Sequence, residues 1–280
     1  MRQTSTWEIE KLAAQVIFPR LYTYKYFIDE DYKSKINKLV KLGVGGFCLF
    51  GGNIEETIRL TNELQFHSDV PLLFCGDFEH GIAMRLTEGT EFPYAYALGR
   101  INSTNYTYQT AQAIAQEAKA IGVYWNLAPV ADINSNPNNP VIGIRSFGET
   151  PDVVSAHVKA YIDGTQNENV LGCLKHFPGH GDTDVDSHLD LPKIKKTKSQ
   201  IERFELLPFL AGFSSQVRSI MIGHLAVPAF DESNLPASLS SKIIQEYLRN
   251  ELGYNGLIVT DALDMNAIIK NFNTEQIPVL

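Results

Sequence analysis

Only three cysteines, Cys48, Cys75 and Cys173, occur among the 280 residues. Their number is odd, their spacing is wide, and each sits inside an apolar run. The expectation is therefore reduced, buried thiols in a reducing cytoplasm, not a disulfide framework. No apolar run approaches the ~20 residues that span a bilayer. The opening MRQTSTWEIEKLAAQV lacks the basic-then-apolar pattern of a secretory signal. Positive charge is also scarce, with 24 Lys and Arg against 32 Asp and Glu and a net charge of −8. That balance argues against nucleic acid or an anionic membrane as the main partner, though it leaves room for a local basic pocket. No GxGxxG follows the first strand-like run, and neither GxxxxGKS nor GxxxxGKT occurs, so dinucleotide-binding sheets and P-loop folds lose ground. Internal repeats, low-complexity segments and Gly/Ser-rich linkers are missing too.

What is present is an ordinary globular balance, 44% hydrophobic and 20% charged. The length suits one large domain or two small ones, since single α/β barrels commonly run to about 250 residues. Continuous apolar runs at 14–20, 45–51, 71–77, 123–130, 171–177, 219–226 and 256–263 predict parallel strands covered on both faces. Amphipathic stretches between them, several ending in Gly, predict helices, with Ser103 or Thr104, Asp152 and Ser240 as N-cap candidates. Polar residues collect at the ends of these runs: Arg20, Asp77, Lys175 with His176, His224 and Asp261. In a TIM-type (β/α)8 barrel, side chains at the carboxyl ends of the strands converge on one mouth. The whole chain, 1–280, is therefore read as a single barrel domain. Seven strands are found where eight close a barrel, so the domain is expected to be truncated before its last strand.

KHFPGHGDTDVDSH, from Lys175 to His188, carries the densest group of ionisable residues. As a metal site it would need histidines and carboxylates at ligand spacings. The spacing of His176, His180 and His188 matches neither HExxH nor the HxHxDH cluster. A solvated loop explains the aspartates but not a Lys-His pair at a strand end before Pro-Gly-His-Gly. A proton carrier is the third reading, with Asp186 fixing the tautomer of His188 and raising its basicity. Asp261 is either a helix N-cap for ALDMNAIIKNF or a carboxylate able to attack an anomeric carbon. The bland readings hold elsewhere. Trp7 and Trp125 are packing residues, KIKKTKSQ (193–200) is a solvated connection, and His224 lines a pocket or makes a buried hydrogen bond.

Together with IVTDALDM downstream and VIGIRSFGE upstream, that loop resembles glycoside hydrolase family 3. The match is to its bacterial β-N-acetylglucosaminidases, which act in peptidoglycan recycling, and it spans nearly the whole chain. The resemblance implies a retaining exo-β-N-acetylglucosaminidase without metal or other cofactor. Its nucleophile is Asp261, its general acid/base His188, and the partner of that histidine Asp186. It implies sugar-hydroxyl contacts from Lys175, His176 and Asp77, and from Arg145 near the acetamido group. The expected partner is a small glycan, an N-acetylglucosaminyl saccharide or muropeptide. Ile82 departs from the family pattern, standing where an Arg is usual after Asp77, so either Arg85 compensates or the pocket rim differs. A glycoside phosphorylase and a degenerate sugar-binding module remain as alternatives, with a metal-dependent hydrolase behind them.

Overall fold

Helices and short parallel strands alternate along the computed structural model, which describes residues 7–183, 190–273, 275 and 277. In chain order they are α1 (Ile9–Ala14), β1 (Arg20–Leu21), α2 (Thr23–Ile28), α3 (Glu30–Leu42), β2 (Gly46–Leu49), α4 (Ile54–His67) and β3 (Leu73–Gly76). Then follow α5 (Ala95–Ile101), α6 (Thr104–Ala120), β4 (Trp125–Asn126), α7 (Pro151–Asn167), β5 (Cys173–Phe177), α8 (Lys198–Arg203), α9 (Leu207–Ser214) and β6 (Ser219–Ile222). A π-helix (Lys242–Glu251), β7 (Leu257–Thr260) and α10 (Asn266–Ile269) come last. No helix among the described residues is long and apolar enough to cross a membrane.

Two compact units divide the chain. The first runs to Phe92 and takes in Gln112–Leu127 and Glu168–Val170. Its sheet has the order β1-β2-β3-β4, every pair parallel, with Cys48 opposite Cys75 and Cys75 opposite Trp125. Phe47, Leu49 and Phe74 are wholly buried, which is why these strands read as unbroken apolar runs. The helices obey their local signals. Asp29 accepts the Tyr32 N–H at 2.9 Å to open α3, and Gly43 at φ 88° closes it. The run 14–20 is mostly not a strand. Ala14 ends α1, Ile17 N–H returns to the Ala14 carbonyl, and Val16 is 80% exposed. Pro19 has no N–H to offer a ladder, so pairing begins with its carbonyl, which accepts from Cys48.

The second unit holds Pro93–Ala111, Ala128–Asn167 and the chain from Leu171 onward. Its sheet has the order β5-β6-β7, again parallel, and Ala128–Ala131 adds a further bridge to β5 at Val130 and Lys175. Ser219 pairs with both Cys173 and Leu257, and Ile222 with both Phe177 and Thr260. These rows fix what ends where. His176, Gly223 and Asp261 all lie within one residue of the Phe177–Ile222–Thr260 row, at the carboxyl ends of three adjacent strands. Ser240 accepts the Ile243 N–H at 3.2 Å at the start of the π-helix, as a cap should. ALDMNAIIKNF is helical only over Asn266–Ile269, because Ala262–Met265 closes a turn first.

Candidate active site

Three residue steps on β5, from Leu174 to Phe177, face two on β6, from Ile220 to Ile222. The extra residue breaks the regular ladder at Lys175 and His176. Such bulges re-aim side chains, often beside active sites. Both residues are buried. A lysine and a histidine in that position need compensating partners. The histidine's lies in the loop after β4: Asp132, wholly buried, accepts the His176 backbone N–H at 3.1 Å and the His176 ring at Nδ1, 2.7 Å away. It also accepts the His180 backbone N–H at 2.6 Å. Burial alone would raise Asp132, but the His176 ring and the bonds from His176 and His180 hold it below the usual carboxylate range. With Nδ1 given to Asp132, Nε2 is the His176 ring nitrogen left to meet a ligand hydroxyl.

The Pro-Gly-His-Gly turn is shaped by its glycines. Gly179 sits at φ 124°, and a Cβ on Gly181 would fall 1.6 Å from the Ile133 carbonyl oxygen. That close approach seats His180, whose Nδ1 lies 2.7 Å from Thr183 Oγ1. Asn139 Nδ2 donates to the His180 carbonyl at 2.8 Å. Burial pushes His180 down to about 4, with His176 adding to the fall and Asp132 and Asp261 opposing it. His180 is thus a neutral, structural imidazole near pH 7.

Asp261 follows β7 directly, its N–H donating to the Ile222 carbonyl at 3.0 Å and its Oδ1 accepting the Ala262 N–H at 2.7 Å. The carboxylate is half-buried at the strand mouth. His224, left open between pocket lining and buried hydrogen bond, makes buried hydrogen bonds. Its Nδ1 lies 2.7 Å from Ser238 Oγ and its Nε2 3.0 Å from the Ala262 carbonyl.

In the first unit, Asp77 follows β3 and receives Arg85 Nη2 at 2.6 Å. The Arg85 guanidinium also stands 4.7 Å over the Phe50 ring. Ile82 is buried, so it cannot present a polar group at a rim, whereas Arg85 reaches the aspartate from three residues further on. Arg145, in the second unit, closes a short 3-10 turn and donates from Nη1 to the Val141 carbonyl at 3.2 Å. Asp186 and His188 lie outside the described residues. Lys196 is more than a solvated connection: it pairs with Glu205 at 2.6 Å and with Asp182 at 3.3 Å. Among the described residues, no group of three or more His, Cys, Asp or Glu side chains is arranged to hold a metal ion.

Asp132 was missed in the sequence because one aspartate in an Asn- and Pro-rich loop looks like a turn former. The available signal was that loop's length, since long ordered loops are often functional. The model for the glycosyl hydrolase family 3 N terminal domain matches residues 9–279. A beta-hexosaminidase A of Pseudoalteromonas piscicida is 40% identical over 254 residues, covering 82% of this chain and 42% of that protein. A beta-hexosaminidase of Nitrosomonas eutropha is 35% identical, covering 80% of this chain and 66% of that protein. The solved structure of a glycoside hydrolase family 3 beta-N-acetylglucosaminidase from Paenibacillus is 36% identical and superposes with a TM-score of 0.85 over 95% of this chain and 51% of its own. That likeness gives the chain the TIM-type α/β fold expected from its strand rhythm, with the described strands hydrogen-bonded as one four-stranded and one three-stranded sheet. The chain thus spans about half the length of several of the proteins it matches.

Proposed function

The chain belongs to glycosyl hydrolase family 3, and from that premise we propose that it forms the catalytic part of a retaining exo-β-N-acetylglucosaminidase. One observation carries the reading: a half-buried carboxylate, Asp261, follows β7 one residue past the Phe177–Ile222–Thr260 row, and β5 presents His176 and Lys175 one and two residues before it. Parallel strands lie about 4.8 Å apart, so β5 and β7 stand roughly 10 Å from each other across β6, a sugar's width.

His188 protonates the glycosidic oxygen while Asp261 attacks the anomeric carbon. The C–O bond to the leaving group breaks, the aglycone departs as an alcohol, and an ester joins Asp261 to the sugar. His188, now neutral, takes a proton from water, whose oxygen displaces Asp261. Two inversions give net retention. Asp186 orients and supports the imidazolium. Lys175, and His176 through its Nε2, hold sugar hydroxyls; Asp77, braced by Arg85, and Arg145 hold others. The substrate is an N-acetylglucosaminyl saccharide, a muropeptide among them, and peptidoglycan recycling in the cytoplasm is the setting. Buried free thiols at Cys75 and Cys173 support a reducing compartment.

The test is hydrolysis of 4-nitrophenyl β-GlcNAc against the β-glucoside, each with and without phosphate. Preference for the first, phosphate-independent, with β-GlcNAc as the initial product, is expected. Sugar 1-phosphate as product would make the protein a phosphorylase, and no turnover of either substrate would leave a binding module. Asp261→Ala should lose both aryl and saccharide cleavage. His188→Ala should lose saccharide cleavage by about a further 10- to 100-fold relative to aryl cleavage, because an activated phenol needs little protonation. Equal losses on the two substrates would remove His188 from the acid role.

A further inference from the structure

His224 belongs to no step of that mechanism, yet it is wholly buried two residues beyond β6, beside the carboxylate that performs it. Its ring bonds fix its chemistry. The Ala262 carbonyl can only accept, so the Nε2 3.0 Å away must carry the hydrogen. Nδ1 is hydrogen-bonded to the Ser238 hydroxyl 2.7 Å away, so both ring nitrogens are held. Ser238, in the short turn Ala237–Leu239, is itself buried. Ala262 is the residue whose N–H holds Asp261 Oδ1 at 2.7 Å. A chain of three hydrogen bonds therefore runs from Ser238 to His224, to the Ala262 carbonyl and, through that residue, to the Asp261 carboxylate.

We infer that His224 is a positioning residue for Asp261: it pins the Ala262 residue so that its N–H holds one carboxylate oxygen and leaves the other aimed at the anomeric carbon. The inference rests on Asp261 being the nucleophile. Backbone before Ala262 is held where the Asp261 N–H donates to Ile222, and the Ala262 carbonyl accepts the Met265 N–H at 3.0 Å as well as His224, so the histidine is the second of its two donors. Past Ala262 the chain enters the turn to Met265, not a strand. Without His224 the Ala262 carbonyl is held only from within its own turn, by Met265, and that turn can shift as a unit and carry the carboxylate with it. Displacements near 1 Å in a reacting group cost up to about 100-fold in rate.

The experiment compares His224→Leu, His224→Gln and Ser238→Ala with the parent chain. It reads the pre-steady-state rate of glycosylation by 4-nitrophenyl β-GlcNAc, the affinity for free GlcNAc, and the melting temperature. His224→Leu should slow glycosylation by about 10- to 100-fold while GlcNAc affinity stays within about twofold, since no sugar contact is removed. His224→Gln keeps an amide donor for the carbonyl and should recover a large part of that rate. Ser238→Ala keeps the donor but frees the ring, and should fall between Gln and the parent; it also stands in if the leucine variant does not fold. An unchanged glycosylation rate in the leucine variant would overturn the inference. So would rate losses that follow melting temperature and GlcNAc affinity in step across the variants, because a purely structural histidine would act that way. If Asp261→Ala itself retains glycosylation, the nucleophile assignment fails first, and the two failures are told apart.

Discussion

At the scale of single residues, the organising group is a buried aspartate that bears no direct role in bond breaking. The Asp132 carboxylate gathers two backbone N–H groups and one imidazole N–H onto two oxygens, and these three donors belong to the motif at the end of β5. An ionised acceptor is what makes this worthwhile, since hydrogen bonds to charge contribute about 1.5–3 kcal/mol each. Asp132→Asn replaces one acceptor oxygen by a donor that would face the His176 or His180 N–H. It should cost about 2–4 kcal/mol of stability. Because His176 would lose the bond that fixes its Nδ1 tautomer, KM for a β-GlcNAc glycoside should rise more than kcat falls. Urea unfolding alongside steady-state kinetics checks both, and a variant with parent-like stability would show that the aspartate is dispensable to the loop.

At the scale of elements, the turn after β5 shows how a motif can be required by backbone geometry alone. Gly181 passes so close to the Ile133 carbonyl that a methyl group there must displace one of the two segments. Gly181→Ala should therefore unfold at lower denaturant by about 1–3 kcal/mol or more, and its activity should fall because His180 and the segment that follows shift with it. Gly143, where nothing lies within 4 Å of an added Cβ, is the control: at its φ of 42° an Asn meets backbone strain but no clash, and Asn is among the residues that tolerate that region best. Equal effects at both positions would mean that steric contact is not what selects glycine at Gly181. Neither distinction is visible in the sequence, where both are simply glycines in loops. The strand register is equally hidden: composition finds β5, β6 and β7, but only pairing reveals the bulge that places Lys175 and His176.

At the scale of the whole molecule, the buried imidazoles make stability depend on pH. His180 is lowered from 6.5 to about 4 by burial and by the neighbouring His176, and burial lowers His157 as well. Between those two pH values the unfolded chain binds protons that the folded chain refuses, so stability rises with pH and is lost on acidification from about 6.5 toward 4. His180 alone removes about 3 kcal/mol across that window. Asp132 acts lower down: its folded value is depressed, so the stability it contributes is present above the ordinary carboxylate range and lost only below it. Urea midpoints measured from pH 7 to pH 4 should therefore decline steadily. His180→Gln should flatten that decline, leaving a smaller slope from His157. An unchanged slope in the variant would show that His180 titrates normally in the folded protein.

The amino-acid sequence by itself determined the parallel α/β rhythm, the family and the short list of chemistry-bearing residues. Those properties are written in local patterns: continuous apolar runs between amphipathic stretches, polar residues at the ends of runs, and one dense motif. Six of the seven apolar runs became strands near the expected places; the exception, 14–20, misled because exposed Val16 and Ile17 look the same in a sequence as buried ones. Tertiary structure alone decided that Asp132 is the hub of the β5 loop, that Arg85 and not residue 82 reaches Asp77, and that His224 reaches across to the residue after Asp261. Each of these joins positions on separate segments, and which segments meet is set by strand pairing and burial summed over the chain, information that no local stretch contains.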